Sequence, residues 1–192
     1  QNKSEEYKKI EKYFGPKIAS SINKWAMRYN VDPYLLTSIM IAEHSGIKDE
    51  NALEVVGNRL KKNPNHYAAS KSTFGTTSHG LMQFTEETLE GLSKGKHSLN
   101  EVVSDYDLSI MYSAKLLSYL NKKCNGDFEK IVFSYNAGGG TLSKLEKEAK
   151  EKNENWIDLL ESKLTSNTKG RFYVGYGYIA KANRARDKIM EN

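Results

Sequence analysis

Apolar residues recur along this chain mainly with the period of a helix. Ile18, Ile22, Trp25 and Tyr29 fall at i, i+4, i+7 and i+11, one stripe of an amphipathic helix that should end near Asn30. Asp32 is placed to cap the next helix, and Pro33 suits its first position, where a missing N–H costs nothing. Leu35, Leu36, Ile39 and Met40 carry that stripe towards Glu43, and Ser45-Gly46 marks the stop, because glycine tolerates a left-handed cap. Further on, Thr85 can cap a helix opening EETL, a second pattern runs through Leu108, Met111, Leu116 and Leu120, and Asp127 can cap FEKIVFSYN, which halts at Ala137-Gly138-Gly139-Gly140. Two more patterns cover Thr141 to Lys152 and Trp156 to Leu164. The last runs from Arg171 to Met190, with Gly175 and Gly177 weakening its start.

The pattern fades between residues 47 and 77, a polar stretch holding Asn58, Asn63, Pro64, Asn65, His66 and Tyr67. It reads as a long insertion with one short helix, and loops of that length are commonly functional or mobile. With three prolines, no internal repeat and no linker rich in Gly, Ser or Pro, the 192 residues are expected to form a single, mainly α domain.

Composition narrows the class. The 38% hydrophobic and 28% charged fractions are those of a globular chain, and no apolar run approaches the roughly 20 residues of a membrane helix. The opening QNKSEEYKK contains neither Met nor an apolar segment, which leaves the compartment open. One cysteine, Cys124, excludes an internal disulfide or a Cys-based zinc site and reads as a small packing residue. His44, His66, His79 and His97 share no metal-binding spacing, so neither metal nor cofactor is expected. A net charge of +5 suits an anionic partner, whether nucleic acid, membrane surface or acidic wall polymer. The lysines, however, alternate with glutamates, as in SKLEKEAKEKNE, which reads as a solvated helix face. No RNA-binding, zinc-finger or basic-zipper pattern is present, and a nucleic-acid-binding helical domain is the weakest of the readings kept.

Three short stretches invite chemistry. Glu43 lies on the same side of its helix as Leu36 and Ile39, so its carboxylate continues a buried stripe and sits at the negative end of the helix dipole. Both effects favour the protonated form and make it a candidate proton donor; the alternative is a glutamate that reaches solvent from a helix end. HGLMQF sets a Gly and a Gln into an otherwise core-like run, and SYNAGGG places a hydroxyl and an amide at a helix end before three glycines. RFYVGYGY offers Tyr173, Tyr176 and Tyr178, a stripe that serves equally as core with polar tips. There is no nucleotide loop and no serine-hydrolase elbow.

In order, DPYLLTSIMIAEHSG, GLMQ, YNAG and RFYV resemble the soluble lytic murein transglycosylase (SLT) domain, a relative of goose-type lysozyme, over residues 17 to 185. The resemblance implies a lysozyme-like helical fold and cleavage of the β-1,4 bond between N-acetylmuramic acid and N-acetylglucosamine in peptidoglycan. It implies Glu43 as the acid, then as the base that takes the muramic acid 6-hydroxyl proton, giving a 1,6-anhydro product. It further implies that Gly80, Leu81, Met82 and Gln83 line the sugar groove, with Gly80 clearing room for glycan, Met82 packing on it and Gln83 bonding it. Tyr135 and Asn136 would face Glu43 and the N-acetyl groups, and Tyr173 would hold the glutamate. The chain departs from the family pattern in three places. His44 separates Glu43 from Ser45, the insertion 47–77 is longer and is expected to form a lid or rim, and Phe74 stands where a serine precedes GLMQ. Ser72, Thr73 and Thr76 are candidates to replace that serine. No aspartate matches the one that goose-type lysozymes use to manage water, which favours the transglycosylase over the hydrolytic muramidase. A glycan-binding module that has lost turnover is the remaining alternative. The expected partner is a peptidoglycan strand and the expected state a monomer, extracytoplasmic, as an autolysin or within a phage, secretion or conjugation machine.

Overall fold

The computed structural model describes residues 3–71, 77–164 and 170–191. They form ten helices: α1 Glu5–Tyr29, α2 Pro33–Ala42, α3 Ala52–Lys62, α4 Glu86–Ser93, α5 Leu99–Val103, α6 Tyr106–Lys123, α7 Phe128–Ala137, α8 Gly139–Glu151, α9 Trp156–Ser162 and α10 Arg171–Glu191. Among the described residues there is no strand, apart from isolated bridges at Lys71, His79 and Phe84, and no helix is long and apolar enough to cross a membrane.

Every residue from Leu35 to Ala42 is buried, so α2 is the central helix rather than an amphipathic surface one. Its two buried hydroxyls, Thr37 and Ser38, are satisfied by the carbonyls of Pro33 and Tyr34, one turn back. Asp32 caps α2 through the Tyr34 N–H, with Pro33 in the first turn. Around α2 pack α1, α6 and α10, and α10 also lies against α7. The predicted caps Thr85 and Asp127 accept from the N–H groups of Thr88 and Lys130.

α1 begins well before the Ile18 stripe, at a Ser4 cap, and is kinked at Gly15, whose φ of 79° precedes Pro16. The polar stretch 47–77 does contain one helix, α3, which buries Leu53, Val56, Gly57 and Leu60 against α1. A Cβ on Gly57 would stand 2.5 Å from the Tyr13 carbonyl oxygen, so the two helices touch backbone to backbone there. α5 was not legible as a periodic segment because it is five residues long, yet Ser98 and Glu101 form a full capping box at its start.

Gly175 and Gly177 do not delay α10, which is helical from Arg171. They allow close packing instead: a Cβ at residue 175 would lie 2.6 Å from Phe133, and one at residue 177 would lie 3.0 Å from Ile47. Tight packing at these two points sets the rotation of α10, and with it the direction of the side chains that follow.

Candidate active site

Glu43 closes α2 with helical backbone angles, its N–H bonded to the Ile39 carbonyl. Its carboxylate accepts a hydrogen bond of 2.6 Å from the Tyr178 hydroxyl, which also lies 3.4 Å from the Ile39 carbonyl oxygen. Tyr178 is 2% exposed. One turn further along α10, the Lys181 ammonium donates to the Ser45 carbonyl at 2.7 Å and sits 5.4 Å from the Tyr178 ring centre. The Ser45 hydroxyl donates back to the Ile41 carbonyl, so both polar groups of Ser45 finish the helix end.

Glu43 retains some solvent access, but the protein around its carboxylate is dense. Desolvation raises its pKa from 4.5 to about 7, against the opposing pull of the Tyr178 hydroxyl and the Lys181 charge. Burial, then the Glu43 charge, pushes the Tyr178 phenol far above its ordinary range. The same two influences in the same order raise Tyr135. Burial lowers Lys181, offset by Glu43 and Asp49. One ionisable carboxylate is therefore the electrostatic centre for a lysine and two phenols.

The GLMQ segment is a tight turn. His79 and Phe84 exchange backbone hydrogen bonds of 2.9 and 3.0 Å across it, and Gly80 and Gln83 both take positive φ, 81° and 53°. The end of the insertion runs alongside, with the Gly80 N–H donating to the Ser70 carbonyl at 3.0 Å. From α7, the Tyr135 hydroxyl donates to the Met82 carbonyl at 3.1 Å and pairs with the Ser113 hydroxyl of α6 at 3.1 Å. α2, α6, α7, α10 and the turn thus converge on Glu43.

Several roles implied by the sequence change in detail. Met82 is fully buried and supports the turn from beneath, so its side chain presents no surface for a sugar to pack on. Gly80 is buried too. A Cβ there would meet Val103 of α5 at 3.0 Å, so this glycine makes room for the protein's own packing rather than for glycan. Leu81 and Phe84 are core anchors. The Gln83 amide nitrogen donates to Gly80 and Ser70, shaping the turn before it could meet a ligand. Asn136 stands exposed beside Tyr135.

The hydroxyl on Glu43 comes from Tyr178, not Tyr173. Five residues along a helix is a rotation of about 140°, which turns Tyr173 away from the face that Tyr178 shares with Ala182, Ala185 and Ile189. That i, i+4, i+7, i+11 spacing was the signal available for Tyr178. Lys181 carried no comparable signal. Ser72, Thr73 and Thr76 lie outside the described residues. Of the stretch expected to roof a groove, residues 52–62 pack on α1 and residues 67–71 flank the GLMQ turn.

A family model described as the transglycosylase SLT domain matches residues 20–157. The matched stretch contains Glu43, the GLMQ turn and Tyr135 in sequence, and ends before the helix that supplies Tyr178 and Lys181. Because the match covers well over half of the molecule, the chain belongs to the transglycosylase SLT domain family.

Proposed function

We propose that this domain is a peptidoglycan lytic transglycosylase in which Glu43 acts alone, first as acid and then as base. Membership of the family implies peptidoglycan, an extracytoplasmic polymer, as the substrate. The observation that carries the finer reading is the Glu43 carboxylate, with a pKa near 7 and bonded to Tyr178 on one oxygen. A group poised there gives up a proton and takes one back with little driving force in either direction, as a single acid/base requires near neutral pH.

Protonated Glu43 donates to the glycosidic oxygen as the bond from muramic acid C1 breaks. The resulting carboxylate, stabilised by the Tyr178 hydroxyl and the Lys181 charge, accepts the proton of the muramic acid 6-hydroxyl. That oxygen bonds to C1, and the anhydro ring closes without water. A hydrolytic glycosidase generally needs a second carboxylate within about 5 to 9.5 Å. The transglycosylase route does without that partner, because the 6-hydroxyl of the substrate itself takes the place of water. On this reading exposed Asn136, and Tyr135 beside it, face the sugar flanking the cleaved bond.

Mass analysis of muropeptides released from sacculi tests this reading. Products lighter by one water than reducing sugars are expected, and Glu43→Gln should release none while still folding. Reducing ends would assign the hydrolytic muramidase instead, and sacculus binding without release by the unaltered protein would assign a glycan-binding module. An active Glu43→Gln would remove the residue from the reaction.

A further inference from the structure

His44 follows Glu43 directly, yet its side chain faces the other partner of the site. The imidazole Nε2 lies 2.7 Å from the Leu81 carbonyl oxygen, and the ring stacks on Tyr67 with centroids 3.7 Å apart and planes within 17°. Tyr67 is itself fixed: it is 7% exposed, His66 meets it edge-on at 4.8 Å, and Arg59 of α3 approaches its hydroxyl at 3.5 Å. A carbonyl can only accept, so the neutral ring must carry its proton on Nε2. Burial keeps it neutral, lowering its pKa to about 4 against the opposing pull of the Leu81 carbonyl, and nearby His66, Lys181 and Arg59 add to the lowering.

We propose that His44 is a positioning residue for glycan cleavage, tying the GLMQ turn to the helix end that carries Glu43, with Tyr67 of the insertion holding its ring in register. The turn is then fixed at consecutive carbonyls, Leu81 by His44 and Met82 by Tyr135. One brace comes from the residue next to the acid, the other from α7. The insertion gains a role in the same stroke, because its Tyr67 orients the ring and its Ser70 pairs with Gly80. Displacing a substrate-positioning element by about 1 Å can cost on the order of a hundredfold in rate, so this link should be visible in turnover. The proposal rests on Glu43 as the cleaving acid.

Kinetics on soluble glycan fragments test it with variants that separate the two contacts. His44→Phe keeps the stack and loses the hydrogen bond; His44→Gln restores an N–H close to the position of Nε2. His44→Phe should lose roughly tenfold to a hundredfold in kcat with KM changed far less, and His44→Gln should recover part of it, since the amide restores the donor without the ring that stacks on Tyr67. Tyr67→Leu should lower kcat in the same sense, and it decides the matter if His44→Phe does not fold. Wild-type kcat in folded His44→Phe, or in Tyr67→Leu should His44→Phe fail to fold, overturns the proposal, as does a His44→Gln as impaired as His44→Phe. Glu43→Gln run alongside separates the failures: turnover retained there overturns both readings, whereas an inert Glu43→Gln with an unimpaired His44→Phe overturns this one alone.

Discussion

Glu43→Gln should make the protein more stable, and only above a definite pH. The carboxyl titrates near its ordinary 4.5 in the unfolded chain and at about 7 in the folded one. Below the lower value it is neutral in both states and costs nothing. Between the two, the unfolded chain releases its proton while the folded one keeps it, so stability falls as pH rises through the folded value; above that the full cost persists. At ~1.4 kcal/mol per tenfold change in proton affinity, the gap is worth about 3 kcal/mol, or nearer 1.5 where solvent reaches the group. The glutamine amide carries no such cost, and its oxygen can still accept from Tyr178. Glu43→Gln and wild type should therefore melt together at about pH 4 and separate to about 3–12 °C at about pH 8, with the variant higher. Thermal unfolding across that range, followed by circular dichroism, is the assay. Parallel curves at all pH values, or a variant that melts lower at high pH, would refute the claim that Glu43 is held in a desolvating site.

Three other outcomes follow from the same geometry. Tyr178→Phe removes a donor that favours the ionised carboxylate, worth about 1.5–3 kcal/mol for a charged partner; the high-pH limb of kcat/KM should move upward by about one to two pH units, and a limb that stays put or moves down contradicts the assigned bond. His44 titrates at about 4 when folded against 6.5 unfolded, so its contribution is intact above pH 6.5 and is lost as pH falls through 4; His44→Phe should flatten the acid side of the stability curve, measured by urea unfolding. Gly57→Ala presses a methyl on the Tyr13 carbonyl between α1 and α3 and should lower stability by about 1–3 kcal/mol, read as the urea midpoint, while the pH profile of turnover stays where it was.

Helices with long stripes and clear caps were legible in the sequence: Asp32, Thr85 and Asp127 each start the element they were expected to start. Periodicity reports burial against any neighbour, without naming it. It marked α10, but the choice between Tyr173 and Tyr178 depended on rotation about the axis, which two glycines fix through contacts with Phe133 and Ile47. Gly80 misled for a related reason. A glycine signals that something comes close, and here the neighbour is Val103 of α5, a helix too short to leave a period. Lys181 and the link from His44 to Leu81 join segments far apart in the chain, and no local pattern encodes such pairs.

The acid and the phenol that bonds it are 135 residues apart. A chain synthesised only as far as α9 already contains Glu43, the GLMQ turn and Tyr135, yet lacks both the hydroxyl and the ammonium that govern the glutamate's charge. The surroundings that set the protonation of Glu43 are therefore assembled only when α10 docks on α2, which ties the state of the site to a late, long-range step of folding.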